Sequence, residues 1–416
     1  MDRIEELAEE KKALDEVEEV YAQLEQERRK DLRADPSKIE VLESRVKAAI
    51  DKADLYVDPN AYPRIIEENG GVEMNAGTGL EATNYFYNFP SNRIELWFLL
   101  ESERFLHPVF RQFYNERDVV LEERRMRVES SPQGKLMEAL LGTAFIAHPY
   151  RVGPGGWASD IKTLRVPEAE RFYKTFYVPG NITMGIAGDV NPAEAKRLAE
   201  KYFAQLPAGP LPPLVTTIEP KQEGPKHVDI DSPSQPLQFI AYKRPDQYDK
   251  DDPVFDVIST ILSNGRTGIL YKDMVRDKKM SLAAVCVPAY PDGKYPNLFL
   301  FFLAPSAGRT MAENEKEFYE VLEKFKNEKV EDATLARVKT KARAGLIREL
   351  DSNSGLASLL TSYYNSYGDW RKLFTSLDEV NKVTADDVQR VARRYLVLEN
   401  RTDALTVQPR AKGGAK

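Results

Sequence analysis

Glu116 and Glu123 stand seven residues apart in the run Asn115-Glu116-Arg117-Asp118-Val119-Val120-Leu121-Glu122-Glu123-Arg124. Seven residues make two helical turns, so on a helix the two carboxylates share a face, and Phe113 and Val120 fall on it too. Carboxylates on a stripe that also carries apolar residues are costly to bury unless a cation or donor meets them. The plainer reading is a solvated helix laced with i,i+4 pairs such as Glu123 with Arg127. Glu122 points elsewhere. Other reactive residues are sparse. His107, His148 and His227 lie far apart, without metal-ligand spacing. His148, just before Pro149, reads as a loop or satisfied core residue. Cys286 is the single cysteine, which excludes an internal disulfide, and its apolar run Ala283–Pro288 marks a small core residue rather than a nucleophile.

The elements that would position the glutamates come just before them. Gly70-Gly71 marks a tight turn. From Val72 to Pro90 the chain reads as two short strands around Gly77-Thr78-Gly79, rich in Thr, Tyr and Phe. Asn92–Leu106 and Val109–Ser130 then carry helical periodicity.

This stretch resembles the M16 metallopeptidases, the pitrilysin, insulin-degrading and mitochondrial-processing-peptidase family. It shares their Gly-Gly, Asn-Ala, Thr and Thr-x-Tyr pattern at Gly70-Gly71, Asn75-Ala76, Thr78 and Thr83-Asn84-Tyr85. A helix with Glu, six residues, then Glu follows in both. The resemblance implies that Glu123 is the third zinc ligand and Glu116 the acid supporting it. It also implies that a peptide adds as a strand along Val72–Thr78, lined by Asn75 and Ala76. His148-Pro149-Tyr150 would lie near the site without ligating. In the second half the family has an Arg and, seven residues on, a Tyr, both binding the substrate backbone. Arg276 matches the Arg; the Tyr position is Ala283, or Ala284 with one insertion. A helix-end cation favoured by the helix dipole is the competing reading of Arg276.

The chain departs from the family at its signature, His-x-x-Glu-His. Counting back from Glu123 by the family's spacing lands near Glu43-Ser44-Arg45-Val46-Lys47, and no histidine precedes His107. Zinc catalysis needs about three protein ligands and an open water position. One carboxylate cannot hold the metal, so these 416 residues by themselves are expected not to be a zinc peptidase. The signature is expected immediately upstream of Met1. Zinc would then belong to the complete protein and not to this chain alone.

Composition agrees with a soluble two-domain chain. Hydrophobic residues make up 42% and charged residues 30%, and the net charge of −7 gives nucleic acid no basic face. No apolar stretch is long enough to span a bilayer. Compartment follows the true start: periplasmic if a signal peptide precedes, cytoplasmic otherwise.

Residues 1–55 read as a charged amphipathic helical hairpin, broken at Asp35-Pro36-Ser37 and inserted ahead of the Gly-Gly turn. Residues 56–206 form an N-terminal domain that is incomplete at its start. It closes with helix Pro167–Phe176, strand Ile182–Val190 and a helix capped by Asn191. The proline-rich stretch 207–225 is the linker. Residues 226–408 form the second domain. There the readings are strand Leu237–Tyr242, helices Pro253–Leu262 and Ile269–Asp277, and an apolar strand Asn297–Leu303. Helices over Met311–Ser352 and Ala357–Tyr367 follow, then one begun by Thr384-Ala385-Asp386-Asp387. Residues 409–416 are a basic tail. The order helix, aromatic end, Asn, strand occurs twice, at Pro167–Thr183 and at Thr384–Thr402, which points to a duplication.

The expected fold is therefore α+β: two tandem homologous domains, each a mostly antiparallel sheet flanked by helices. Two functions are compatible with it. One is a zinc endopeptidase completed from outside these residues. The other is a non-catalytic chain that binds peptides or pairs with an active M16 subunit, as a heterodimer or homodimer.

Overall fold

The computed structural model describes residues 2–409, with side chains from residue 6 on. The expected basic tail, residues 410–416, lies outside the described residues. The chain opens with α1 (Asp2–Arg28) and α2 (Pro36–Asp54), and Asp35 caps α2 by accepting from the Ser37 and Lys38 amides. These two helices form the expected hairpin. Their apolar faces meet in a small core of Val17, Tyr21, Leu24, Leu42, Val46 and Ala49.

The first half continues through α3 (Ala61–Glu68), β1 (Val72–Thr78), β2 (Thr83–Asn88), α4 (Ile94–Leu106) and α5 (Phe113–Arg124). It ends with α6 (Pro132–Ala144), α7 (Ala158–Thr163), α8 (Val166–Phe176) and α9 (Pro192–Phe203). The helix expected from Val109 begins only at Phe113, because Gln112 sits in the left-handed region at φ 54°. Past Arg124 it widens into a π turn at Arg125–Glu129.

No helix or strand occurs between Phe203 and Lys226. The second half is built from β3 (Lys226–Asp231), β4 (Gln238–Arg244), α10 (Asp252–Ser263), a π turn at Tyr271–Asp277, β5 (Ser281–Tyr290) and β6 (Asn297–Pro305). There follow α11 (Met311–Asn327), α12 (Asp332–Leu350), α13 (Asn353–Tyr367), α14 (Lys372–Lys382), α15 (Ala385–Tyr395) and β7 (Arg401–Val407). Thr384 and Asp387 make the capping box read from the sequence. Helix α14 was not foreseen.

The second-half sheet has strand order β3-β7-β4-β6-β5, antiparallel except for the parallel pair β3–β7. Strand β6 is buried on both faces, as its unbroken apolar run requires. Phe299, Phe301 and Leu303 join the core under α10, α11 and α15. Leu298, Leu300 and Phe302 pack on the opposite side with Leu136, Leu140 and Leu141 of α6. Thus a helix of the first half covers one face of the second half's sheet.

The first half lacks a comparable sheet. Its only ladder among the described residues is the hairpin β1–β2. Ile182–Val190, read from its alternation as a strand, belongs to no ladder; Ile182 itself is extended, and the chain bends at Gly188, which takes φ 140°. Alternation predicts a half-buried extended segment; it cannot supply the neighbour that turns one into a strand.

Candidate functional site

Helix α5 is held by one side. Tyr114 stacks on Tyr21 at 4.3 Å and its hydroxyl donates to Glu18, while Arg117 donates to the Tyr21 hydroxyl and to the Lys162 carbonyl. Arg124 is buried, donating to the Gly156 carbonyl and, at 2.6 Å, to Glu138. The other side carries Glu116, Val119, Val120 and Glu123, spaced as one stripe, and it is open. Val119 is 59% and Val120 42% exposed, and Glu116 is exposed with no ion-pair partner among the described residues. Glu123 pairs with Arg127 at 2.8 Å, the i,i+4 contact anticipated from the sequence. Phe113 leaves the stripe and packs against the hairpin core.

The strand expected to receive a peptide is an edge. β1 pairs only with β2, with Asn75 opposite Phe86 and Ala76 opposite Tyr85, and every residue of β1 is exposed. The Asn75 side chain accepts from the Ala76 amide. Behind the hairpin is a buried anchor. Glu101 accepts from the Tyr62 hydroxyl at 2.8 Å and the Tyr87 hydroxyl at 2.9 Å, and it also binds Arg104. Arg104 in turn covers the ring of Tyr85, whose hydroxyl meets that of Tyr177 at 2.7 Å. The tyrosines of the Thr-x-Tyr stretch therefore fix β2 onto α4 and α8.

Arg276, exposed in the last turn of the π helix, donates through Nε and Nη2 to the two carboxylate oxygens of neighbouring Asp277 at 2.6 and 2.9 Å. Ala283 is on β5, opposite Ala304 in register. Cys286 is buried and its thiol is pushed up to about 12 by burial, which rules it out as a nucleophile at neutral pH. His107 caps the end of α4. His148 is buried and accepts the Tyr150 amide on Nδ1 at 3.2 Å.

Zinc does not fit these residues on their own. Among the described residues no group of three His, Cys, Asp or Glu side chains converges as metal ligands. Glu116 and Glu123 supply oxygen donors from one side only, whereas a peptidase zinc takes about three protein ligands.

Two arrangements were not visible in the sequence. On the stretch between the halves, the Glu219 carboxylate accepts three successive backbone amides, Ile146, Ala147 and His148, at 2.9–3.0 Å, and lies 3.4 Å from Lys243. Burial alone would raise the Glu219 pKa, but the three amides and Lys243 outweigh it and hold it below the usual range. Burial pushes Lys243 down to about 8 against the pull of Glu219. The second arrangement crosses β3–β7. His227 stands opposite Asp403 in register, its Nδ1 bound to Asp403 and its Nε2 2.8 Å from Asp229. The alternations His227-x-Asp229 and Arg401-x-Asp403 are legible, but the register that joins them is not.

The helix order, the β hairpin ahead of the acidic helix and the mixed second sheet define the M16 peptidase fold. Residues 164–342 match the family description "Peptidase M16 inactive domain". The Helicobacter pylori "Zinc protease PqqE" is 29% identical over 358 residues, 83% of this chain and 78% of that protein. The Arabidopsis thaliana "Probable mitochondrial-processing peptidase subunit beta, mitochondrial" is 24% identical over 80% of this chain and 64% of its own length. A solved Helicobacter pylori protease superposes with a TM-score of 0.77 at 27% identity, covering 83% of this chain and 84% of that one. In sequence and in fold the chain is similar to M16 peptidases over most of its length.

Proposed function

We propose that this chain is the framework of an M16 zinc endopeptidase. It contributes Glu123 as the carboxylate ligand, Glu116 as the acid supporting it, and β1 as the strand along which a peptide lies. The histidines and general base of the metal site come from outside these 416 residues. The observation that carries the reading is the open stripe of α5, where two glutamates stand among uncovered valines. Leaving such apolar positions bare costs burial energy that a packed neighbour would recover. The edge of β1 suits peptides of varied sequence, because main-chain hydrogen bonds carry the affinity. Bound zinc would supply an activated water. This chain's own residues would hold the metal's carboxylate side and orient the peptide through Asn75 and Ala76.

The test uses protein from its native source and an unstructured peptide. Chelator-sensitive cleavage, together with its loss in Glu123→Gln, is the expected result. A metal-free protein that cleaves nothing would overturn the reading.

A second reading has its own support: the family description matched is that of an inactive domain, and Ala283 stands where active relatives are expected to carry Tyr. On that reading the chain binds peptides or pairs with an active M16 subunit. Co-purification of such a subunit, with no zinc in this chain, is the outcome that separates the two.

A further inference from the structure

Where the end of α6 meets the second half, it is gripped by more bases than acids. Lys226 of β3 donates through Nζ to the Thr143 and Ala144 carbonyls at 2.9 and 3.1 Å. Lys243 of β4 lays its ammonium 3.6 Å from the centre of the Phe145 ring. Glu219, from the stretch between the halves, accepts the next three amides, Ile146 to His148. His148 itself is buried, and Arg151 donates to the Ile146 carbonyl from the exposed side. One carboxylate thus faces two ammoniums and an imidazole. Water hardly enters: the Glu219 and Lys243 side chains are 7% and 14% exposed.

The bases are held unequally. Lys226 has its two carbonyls. Lys243 lies 3.4 Å from Glu219, yet its buried Nζ makes no hydrogen bond among the described residues. A buried ammonium without acceptors forfeits its hydration, and the ring face and the carboxylate return only part of it. A neutral amine at the same place forfeits far less. His148 also resists a proton. Its Nδ1 accepts the Tyr150 amide, so protonation there would set two donors against each other, and its buried Nε2 has no partner. Any movement that parts Phe145–His148 from β4 lets water reach both bases.

We propose that this joint between the halves is a pH-sensitive latch: it closes by shedding protons, with Lys243 as the principal switch, and acidification loosens its grip on the end of α6. The titration of the joint agrees in sign. Burial lowers the pKa of Lys243, to about 8, and lowers those of Lys226 and His148. Burial would raise Glu219, but the three amides and Lys243 outweigh it and lower it as well. On opening, each group returns toward its ordinary value, roughly 10.4 for a lysine. The open form therefore binds more protons, and the closed form gains as pH rises. For Lys243 the gain is made between about 8 and the ordinary lysine value; Glu219 and His148 add theirs at lower pH. The inference stands whether or not the chain binds zinc or peptides.

The test is amide exchange of a peptide spanning 146–148, followed from pH 7 to 9 and corrected for the intrinsic pH dependence. It compares these 416 residues with Lys243→Met, which carries an unbranched apolar side chain of similar length. Opening of the joint is expected to fall about tenfold over that interval in the unaltered chain, and to change little in Lys243→Met. The variant should also melt at a higher temperature at pH 7, by a margin that narrows toward pH 9. Opening that does not change with pH in the unaltered chain overturns the latch, as does an equal fall in Lys243→Met. A fall shared equally by peptides of α10 and α15 would belong to the whole fold and overturns it too. So would a lower melting temperature for Lys243→Met at pH 7, since the ammonium would then be what holds the joint shut.

Discussion

At the scale of single residues, the contact that does most to fix the path between the halves is Glu219. Its carboxylate fills a concavity of three consecutive amides, an arrangement suited to an anion. Glu219→Ala is expected to cost about 2 kcal/mol, the scale of hydrogen bonds to a charged group, read as a lower unfolding midpoint in urea. Because its folded pKa is depressed, the stabilisation is present above the unfolded value of roughly 4.3 and is lost as pH falls through the folded one. The difference between wild type and Glu219→Gln should therefore shrink in acid; a difference constant down to strongly acidic pH would contradict the assignment. His227 moves oppositely. Burial would depress its pKa, yet the bond to Asp403, with Asp229 beside it, raises it on balance. What it stabilises is present below the unfolded value of roughly 6.5 and fades as pH rises through the folded one. Imidazole proton shifts in an NMR titration should place His227 above the ordinary range, and Asp403→Asn should bring it down.

Among the elements, the hairpin α1–α2 is the one most nearly a separate unit. Its seam with the body is Tyr21 stacked on Tyr114, the Glu18 contacts to Tyr114 and Arg165, and the pair of Glu10 with Arg111. Tyr21→Ala should loosen both the hairpin and its seat, at about 3 kcal/mol for a fully packed aromatic. In amide exchange, residues 13–24 and 42–53 should open together, while β4 and β6 stay protected. The hairpin was legible because Leu14, Val17, Tyr21 and Leu24 keep helical spacing and Asp35-Pro36 is a clear start signal. The apolar run of β6 and the capping box of α15 were legible for the same local reason. Helix α14 escaped because its short run follows Trp370 with no capping side chain. The site followed this pattern too. Helical spacing put Glu116 and Glu123 on one face, whereas the seats of Glu219 and His227 depend on contacts between residues 71 or more apart in the chain.

For the whole molecule, the question is what joins a half that owns a five-stranded sheet to a half whose ladder, among the described residues, is a single hairpin. Besides Glu219, the packing of α6 on one face of the second sheet and of the segment 182–190 on α13 does so. The second depends on one glycine. At Gly185 a methyl would sit 2.4 Å from Thr361 Cγ2 and 3.1 Å from the Ala357 carbonyl oxygen, and neither belongs to a freely moving side chain. Thr361 is held by its hydroxyl, which donates to the Ala357 carbonyl at 2.9 Å. Gly185→Ala should therefore push the segment off α13, at about 1–3 kcal/mol, the range for overpacking a tight contact. Thr361→Ser removes the obstructing methyl and keeps the hydroxyl, so the double variant should regain part of the loss. The carbonyl contact prevents full recovery. Thermal melts of the two single variants and the double variant measure this coupling. Strict additivity would mean that Gly185 and Thr361 do not touch, and that the segment 182–190 is not held on α13 by this contact.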